Sequence, residues 1–440
     1  MDASVPGTPA GSPGPIDITF ENRSDRLIGL GAVNGVLKLL SLGIYSFWGK
    51  TEVRKRLWSF TRLNGEPLEY TGTGKELFLG FIIVFFVFVL PIMIGALAVA
   101  LLFPKNQLAI SIYQIAAYGL FFLLLGNAMY RAQRYRLSRT QWRGIRGALV
   151  GSPARYGWTY FWTLAAPFAI VAGLSGIMVA MGLPALASAV ALLGFIAALW
   201  VLPWRSNLLQ RLITSDMRFG DRPLTYTGGS GPLYKRYFFA WAGSAILYVG
   251  AIAATAAMTW DPVILQGGRP KPPNLSTSLA LVAMWLFVII ASGLITAWYR
   301  ANQLNHFAAH THLDTATFRM ATSGKGIMWL LFSNGMLSVL GILLGLFAGG
   351  ALAYAAGLLP EPPPPGVQVT PPVLAIVTML APIVVMTTIA TTFAQLRSAR
   401  YFLSRLKLDG PVDLAAIQQN ASALPKRGEG LAQVFDLDAF

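Results

Sequence analysis

Eight stretches of this chain stay apolar for longer than the roughly 18 residues that separate a membrane-spanning helix from a helix buried in a soluble core. They are 78–103, 108–129, 158–182, 184–204, 237–260, 277–299, 327–359 and 372–396. A spanning segment must satisfy every backbone N–H and C=O within itself, so runs this long fold as helices. Composition agrees: 12% of the residues are charged, against about 25% in a soluble domain. The runs come in pairs. Only Pro104 to Gln107 separates the first two, which forces a tight turn, and Leu183-Pro184 forms the tip of the second pair. The third and fourth pairs are joined by Pro-rich segments, 267–274 and 361–366.

A ninth apolar segment, 27–48, is different. Asn34, Lys38 and Ser41 recur at helical spacing and give it a polar face. The segment either lies in the interface or dips into the membrane, leaving eight spans, or it crosses and makes nine. The first 19 residues are rich in Pro, Gly and Ser and read as a disordered tail. Residues 20–396 form the membrane domain, and 397–440 read as a cytoplasmic tail.

Charge placement gives an orientation. The segments 49–76, 131–157, 205–236, 300–326 and 397–440 hold 28 of the 34 Lys and Arg residues. Basic residues mark the cytoplasmic side, so these segments and the C-terminus are expected there. The net charge of +16 therefore serves topology and contact with anionic lipid head groups. Nucleic acid is not an expected partner, because no dedicated basic domain is present.

These basic segments also repeat. Pro67-Leu68-Glu69-Tyr70-Thr71-Gly72 returns as Pro223-Leu224-Thr225-Tyr226-Thr227-Gly228, and looser copies begin at Arg131, at Ala316 and at Ala399. Asn64-Gly65 is a strong hairpin signal, since both turn positions need positive φ. Asp409-Gly410 takes its place in the fifth copy. Trp58, Phe60 and Arg62 would share one face of a strand, with Tyr70 on its partner. Residues 20–30 can be laid on 70–80, so the N-terminus carries half of the same element. The expected fold is an all-α polytopic membrane protein with eight to nine transmembrane helices in hairpin repeats. Short β-hairpin elements decorate its cytoplasmic face.

Asn34, Leu37, Leu42, Gly43, Ile44, Tyr45, Trp48, Arg54 and Arg56, followed by Gly65, Tyr70 and Gly72, carry a resemblance. The pattern resembles the YjgN family of bacterial inner-membrane proteins, a domain of unknown function. The second copy departs from it, with Leu202-Pro203-Trp204 in place of the Leu-Gly-Ile-Tyr signature. The resemblance implies a bacterial inner-membrane protein and supplies no reaction or catalytic residue.

Chemistry-bearing constellations are few. The chain has no Cys, which removes disulfides, thiolate metal sites and cysteine nucleophiles. His306 and His310 share a helical face with His312 and Asp314 nearby, a thin metal pattern with a single carboxylate, and no bound metal or cofactor is expected. The eight spans contain no ionisable residue, which counts against proton-coupled transport. They offer neutral groups, Ser244, Thr255, Ser292, Thr296, Thr387, Thr388, Thr391 and Thr392, whose ordinary role is packing and back-bonding to helix carbonyls. Pro91, Pro167 and Pro382 would break helices around a cavity or are simply the prolines that membrane helices tolerate. No phosphate loop, nucleophile elbow or paired carboxylate is present, so no enzyme is expected.

Two functions remain. The protein binds or moves a small polar or lipid-like molecule, as repeat-built transporters do. Alternatively its basic cytoplasmic face engages anionic lipids or a protein partner without transport. The candidate contact residues are Arg54, Lys55, Arg56, Arg131, Arg134, Arg136, Arg211, Arg397 and Arg400.

Overall fold

The computed structural model describes residues 14–21, 24–261, 272–358, 372–414 and 416–419. The loop 361–366, most of 267–274, the first 13 residues and those after Gln419 lie outside them. The chain begins with β1 (Gly14–Ile16), β2 (Ile18–Phe20), α1 (Ser24–Leu40), α2 (Ser46–Phe60), β3 (Thr61–Leu63), β4 (Glu66–Pro67) and β5 (Glu69–Tyr70). Then come α3 (Gly74–Val84), α4 (Leu90–Leu102), α5 (Gln107–Arg139), β6 (Thr140–Trp142), β7 (Ile145–Leu149), α6 (Pro153–Ala180), α7 (Pro184–Ala198) and α8 (Leu202–Asp216). The rest is β8 (Met217–Phe219), β9 (Arg222–Tyr226), α9 (Gly231–Thr259), α10 (Leu275–Ala309), β10 (Thr311–Leu313), β11 (Ala316–Met320), α11 (Gly324–Ala355), α12 (Val373–Leu403) and β12 (Leu406–Val412).

Eight helical segments are long and apolar enough to cross a membrane, two of them (Gly74–Leu102 and Pro184–Asp216) interrupted. Each has 28 to 35 residues, or about 42–52 Å of helix, against a hydrocarbon core of roughly 30 Å. The surplus forms stems that run beyond the apolar part to the strands. Thr73, Ser152 and Ser323 start three of these helices, their hydroxyls accepting from the N–H groups of Glu76, Arg155 and Gly326. Pro91 follows a single π-turn at Phe85–Val89, which absorbs its missing donor and its ring. Pro167 and Pro382 sit inside continuous helices.

The segment 27–48 holds no helix of membrane length. Its apolar helix Leu27–Leu40 rises only about 21 Å, and the chain then turns back into α2. Gly43 N–H bonds Lys38 C=O at 2.7 Å and Leu42 N–H bonds Leu39 C=O at 3.1 Å, a Schellman ending with Leu42 at φ 51°. Gly182 and Gly357 end α6 and α11 in the same way. Among the described residues eight helices reach membrane length, the lower of the two counts left open by the sequence. Trp58 and Phe60, expected on a strand, lie on α2 because the helix continues to Phe60.

The strands form a nine-stranded and a three-stranded sheet, which the chain itself joins into a circuit at Asp17 and Leu68. β2 pairs with β3, β3 with β4, and β5 with β6. The pairing continues in chain order through β7, β8, β9, β10 and β11 to β12. β12 pairs with β1, every pair being antiparallel. Only Asp17 separates β1 from β2 and only Leu68 separates β4 from β5, so the two stretches 14–20 and 66–70 join the last strand to the first. Asn64-Gly65 and Arg143-Gly144 make two of the hairpin turns with both φ angles positive. Inside the circuit Ile16, Leu63, Ile145, Phe219, Leu313, Ala316 and Leu408 belong to one core cluster. Ile417 is buried in that cluster too, and Gln418 and Asp221 bond each other reciprocally, so the chain after β12 packs on the same core.

Two expectations change here. Residues 14–19, assigned to the tail by composition, are strand, because β12 and β3 each offer them an unpaired edge. Asp409-Gly410 is not a turn. β12 runs through it, and Gly410 (φ 120°) is needed where a Cβ would stand 2.8 Å from the Ala316 Cα. The second strand of the fifth element comes instead from the other end of the chain.

Helix α12 is clasped on two sides. Gly341, Gly345 and Gly349 of α11 lie against it, a Cβ on Gly345 falling 2.5 Å from the Ile383 Cα. Gly31 and Gly35 of α1 approach its other side, at 3.1 Å from the Ile389 Cα and 2.8 Å from the Val385 Cα. Small residues four apart let backbones approach and so replace the hydrophobic drive that lipid removes. Gly35→Val is therefore expected to push α1 from α12 and destabilise by about 1–3 kcal/mol, read as a lowered thermal midpoint of the purified protein. Deleting residues 14–20 uncovers the edges of β12 and β3 and should give edge-to-edge association, visible as higher-order species in size exclusion. A monodisperse product would contradict the closure.

Candidate functional site

The stems between spans and circuit hold the charge. In their last two turns each carries a basic residue three to five positions before its end: Arg56, Arg136, Arg211, His306 and Arg400. On α2, Val53, Leu57 and Phe60 pack against α1 and α12, while Phe47 packs toward α3. The remaining face carries Arg56 and Ser59, both exposed. Arg211 and Arg400 are exposed likewise, and among the described residues the side chains of these three arginines have no hydrogen-bond or ion-pair partner. Arg136 is half-buried and donates to Gln133 at 3.2 Å. His306, near the end of the fourth stem, bonds the Gly229 carbonyl at 2.9 Å.

The other candidates separate by burial. Arg54 is buried, donates to the Tyr70 hydroxyl at 2.9 Å and lies over the Tyr70 ring. Arg134 donates to the Gly151 carbonyl, and Arg397 donates to Ser333 Oγ at 2.6 Å. These three tie stems to loops and to neighbouring helices. Lys55 pairs with Glu52 on the surface at 3.0 Å, and Arg131 is exposed. The structure therefore does not gather the nine residues into one site.

The repeated tyrosines are structural. Tyr226 donates to Asn207 Oδ1 at 2.6 Å, and Asn207 Nδ2 donates to the Gly228 carbonyl at 3.2 Å. Burial pushes the Tyr226 phenol up to about 12, so it remains a donor across the physiological range. Both Tyr70 and Tyr226 fold back over the glycine two residues on, where a Cβ would meet the ring or hydroxyl. Glu76, which the sequence reading passed over, is the acidic counterpart. It accepts from the Tyr135 hydroxyl and from Arg139 at 2.5 Å, joining α3 to α5. Its position three residues after Thr73 is the capping-box signal that would have found it.

The histidines do not converge. The His306 and His310 rings are 4.3 Å apart, and His310 Nδ1 bonds the His306 carbonyl at 2.8 Å. His312 lies on β10 between Thr227 Oγ1 (3.1 Å) and Thr317 Oγ1 (2.9 Å). Among the described residues no three His, Cys, Asp or Glu side chains are grouped to hold a metal. Replacing His306 and His310 together by Ala is expected to leave the zinc and nickel content of the purified protein unchanged, measured by plasma mass spectrometry. A stoichiometric loss of metal would contradict this arrangement.

Within the spans the hydroxyls turn inward on their own helices. Thr255, Thr296, Thr387, Thr388 and Thr392 donate to the carbonyl four residues earlier, and Ser292 and Thr391 to the one three earlier. Their O–H donors are thereby occupied, while Ser244 makes no such bond among the described residues.

A sequence model of the family described as bacterial protein of unknown function (DUF898) matches residues 15–434. The chain belongs to that family. It is also similar to the inner membrane protein YjgN of Salmonella typhimurium, 28% identical over 72 residues. That stretch covers 16% of this chain and 18% of the relative, so less than a fifth of the relative's length is matched. No solved structure matches. With eight membrane-length helices, the chain is a multi-pass inner-membrane protein.

Proposed function

We propose that this protein is a non-transporting, non-catalytic membrane protein whose circuit of strands lies on the cytoplasmic side and whose basic stems hold anionic lipid head groups. The observation that carries this reading is that Arg56, Arg211 and Arg400 are exposed near the ends of three stems and, among the described residues, have no hydrogen-bond or ion-pair partner. Arg211 and Arg400 lie about 40 Å along their helices from Pro184 and Val373. The hydrocarbon core is roughly 30 Å thick, so both arginines stand beyond it on the head-group side. The basic excess at this end supports a cytoplasmic placement, and back-bonded hydroxyls in the spans favour it over passage of a polar solute.

Because the chain has no Cys, its orientation can be read with single cysteines. Lys407→Cys on β12 should react with a membrane-impermeant maleimide only after the inner membrane is opened. Lys105→Cys, in the loop between α4 and α5, should react in intact spheroplasts. The reverse pattern would place the circuit outside. For lipid contact, Arg56→Glu, Arg211→Glu and Arg400→Glu are combined and the protein is extracted with its surrounding lipid by a styrene–maleic acid copolymer. Each basic residue near an anionic surface contributes about 1 kcal/mol, so the anionic fraction of the co-extracted lipid should fall at least twofold. An unchanged fraction would defeat the reading.

A further inference from the structure

One concavity lies outside everything described so far. A groove of about 570 Å³ opens where α9, α10 and α11 meet, within the roughly 300–1,000 Å³ of small-ligand sites. Phe239 and Ala240 of α9, Leu294, Ile295 and Trp298 of α10, and Met328 of α11 form its apolar wall. Its single charged group is Arg236, exposed on α9. Among the described residues Arg236 has no hydrogen-bond or ion-pair partner.

The height of the groove is informative. Arg236 is about 35 Å along α9 from Thr259, and Leu294 about 28 Å along α10 from Leu275. The hydrocarbon core is roughly 30 Å thick, so Leu294 stands at its edge, and Arg236 stands just outside it, level with Trp298 on α10. Trp298 adds an aromatic ring of the kind that sits at such boundaries. A ligand that fits must be apolar below and anionic above. The fourth stem is also the one that carries His306 instead of an arginine near its end, and Arg236 lies within electrostatic range of that histidine. The positive charge missing from the stem is thus supplied by the facing helix, beside a cleft.

We propose that this groove holds one anionic phospholipid, an acyl chain lying against Ala240, Leu294 and Ile295 and the phosphate on Arg236. The inference rests on the reading that this end of the spans meets anionic head groups, and it names one site where a single lipid is retained rather than skimmed from the surrounding layer.

The test uses the purified full-length chain in detergent, titrated with phosphatidylglycerol and, separately, with zwitterionic phosphatidylethanolamine, and followed by native mass spectrometry. One phosphatidylglycerol should be retained in preference to phosphatidylethanolamine. Arg236→Ala should weaken its retention about fivefold, and Arg236→Lys should restore most of it. Leu294→Trp, which fills the groove, should weaken both lipids. Were Leu294→Trp not to fold, the Arg236→Ala and Arg236→Lys pair decides alone. Equal retention of the two lipids by the natural chain, or no change on Arg236→Ala, overturns the proposal. The combined Arg56, Arg211 and Arg400 reversal separates the two readings. A retained phosphatidylglycerol in that variant supports the groove even where the head-group reading fails. Loss there, with Arg236→Ala unaffected, assigns the lipid to the stems and overturns the groove.

Discussion

The pairing of residues 14–20 with β12 on one side and β3 on the other is the contact on which the rest of the architecture depends. Five copies of a helix–strand–strand–helix element could have ended in two open edges, each a template for association. The N-terminal strand serves instead as the missing half of the fifth copy, and the circuit closes. Closure lets one small apolar core, from Ile16 to Leu408, draw on strands from every repeat. The stems inherit their positions from it, since each leaves or enters the circuit at a strand end.

The same closure explains the first helical pair. α1 and α2 occupy the place of a spanning hairpin but turn back at Leu42 and Gly43. A short pair has little lipid contact to hold it, and the glycines of α1 at 31 and 35 compensate by close approach to α12. α11 does the same from the other side. Asn34 Oδ1, buried near this crossing, has no hydrogen-bond partner among the described residues, while its amide donates weakly to the Gly49 carbonyl at 3.4 Å.

Charge in the stems has two separate physical roles. Buried arginines such as Arg54 are held by tyrosine hydroxyls and ring faces and serve as internal ties. Arginines one turn face away, such as Arg56 and Arg211, remain in contact with their surroundings. Arg54 and Arg56 are two residues apart, and helical geometry alone turns one inward and the other outward.

The sequence by itself determined the eight spans, the clustering of positive charge at one end, the Asn64-Gly65 turn and the existence of a repeated element. Each is a local property: run length, charge count, or a demand for positive φ. The glycines at 341, 345 and 349 take their meaning only from the approach of α12. The fate of residues 14–20 and of Asp409-Gly410 was decided by tertiary structure alone, because Ile16 meets Leu408 across nearly the whole chain. The same is true of the groove at Arg236. Its wall comes from three helices, and no window of sequence contains the charge and the apolar surface together.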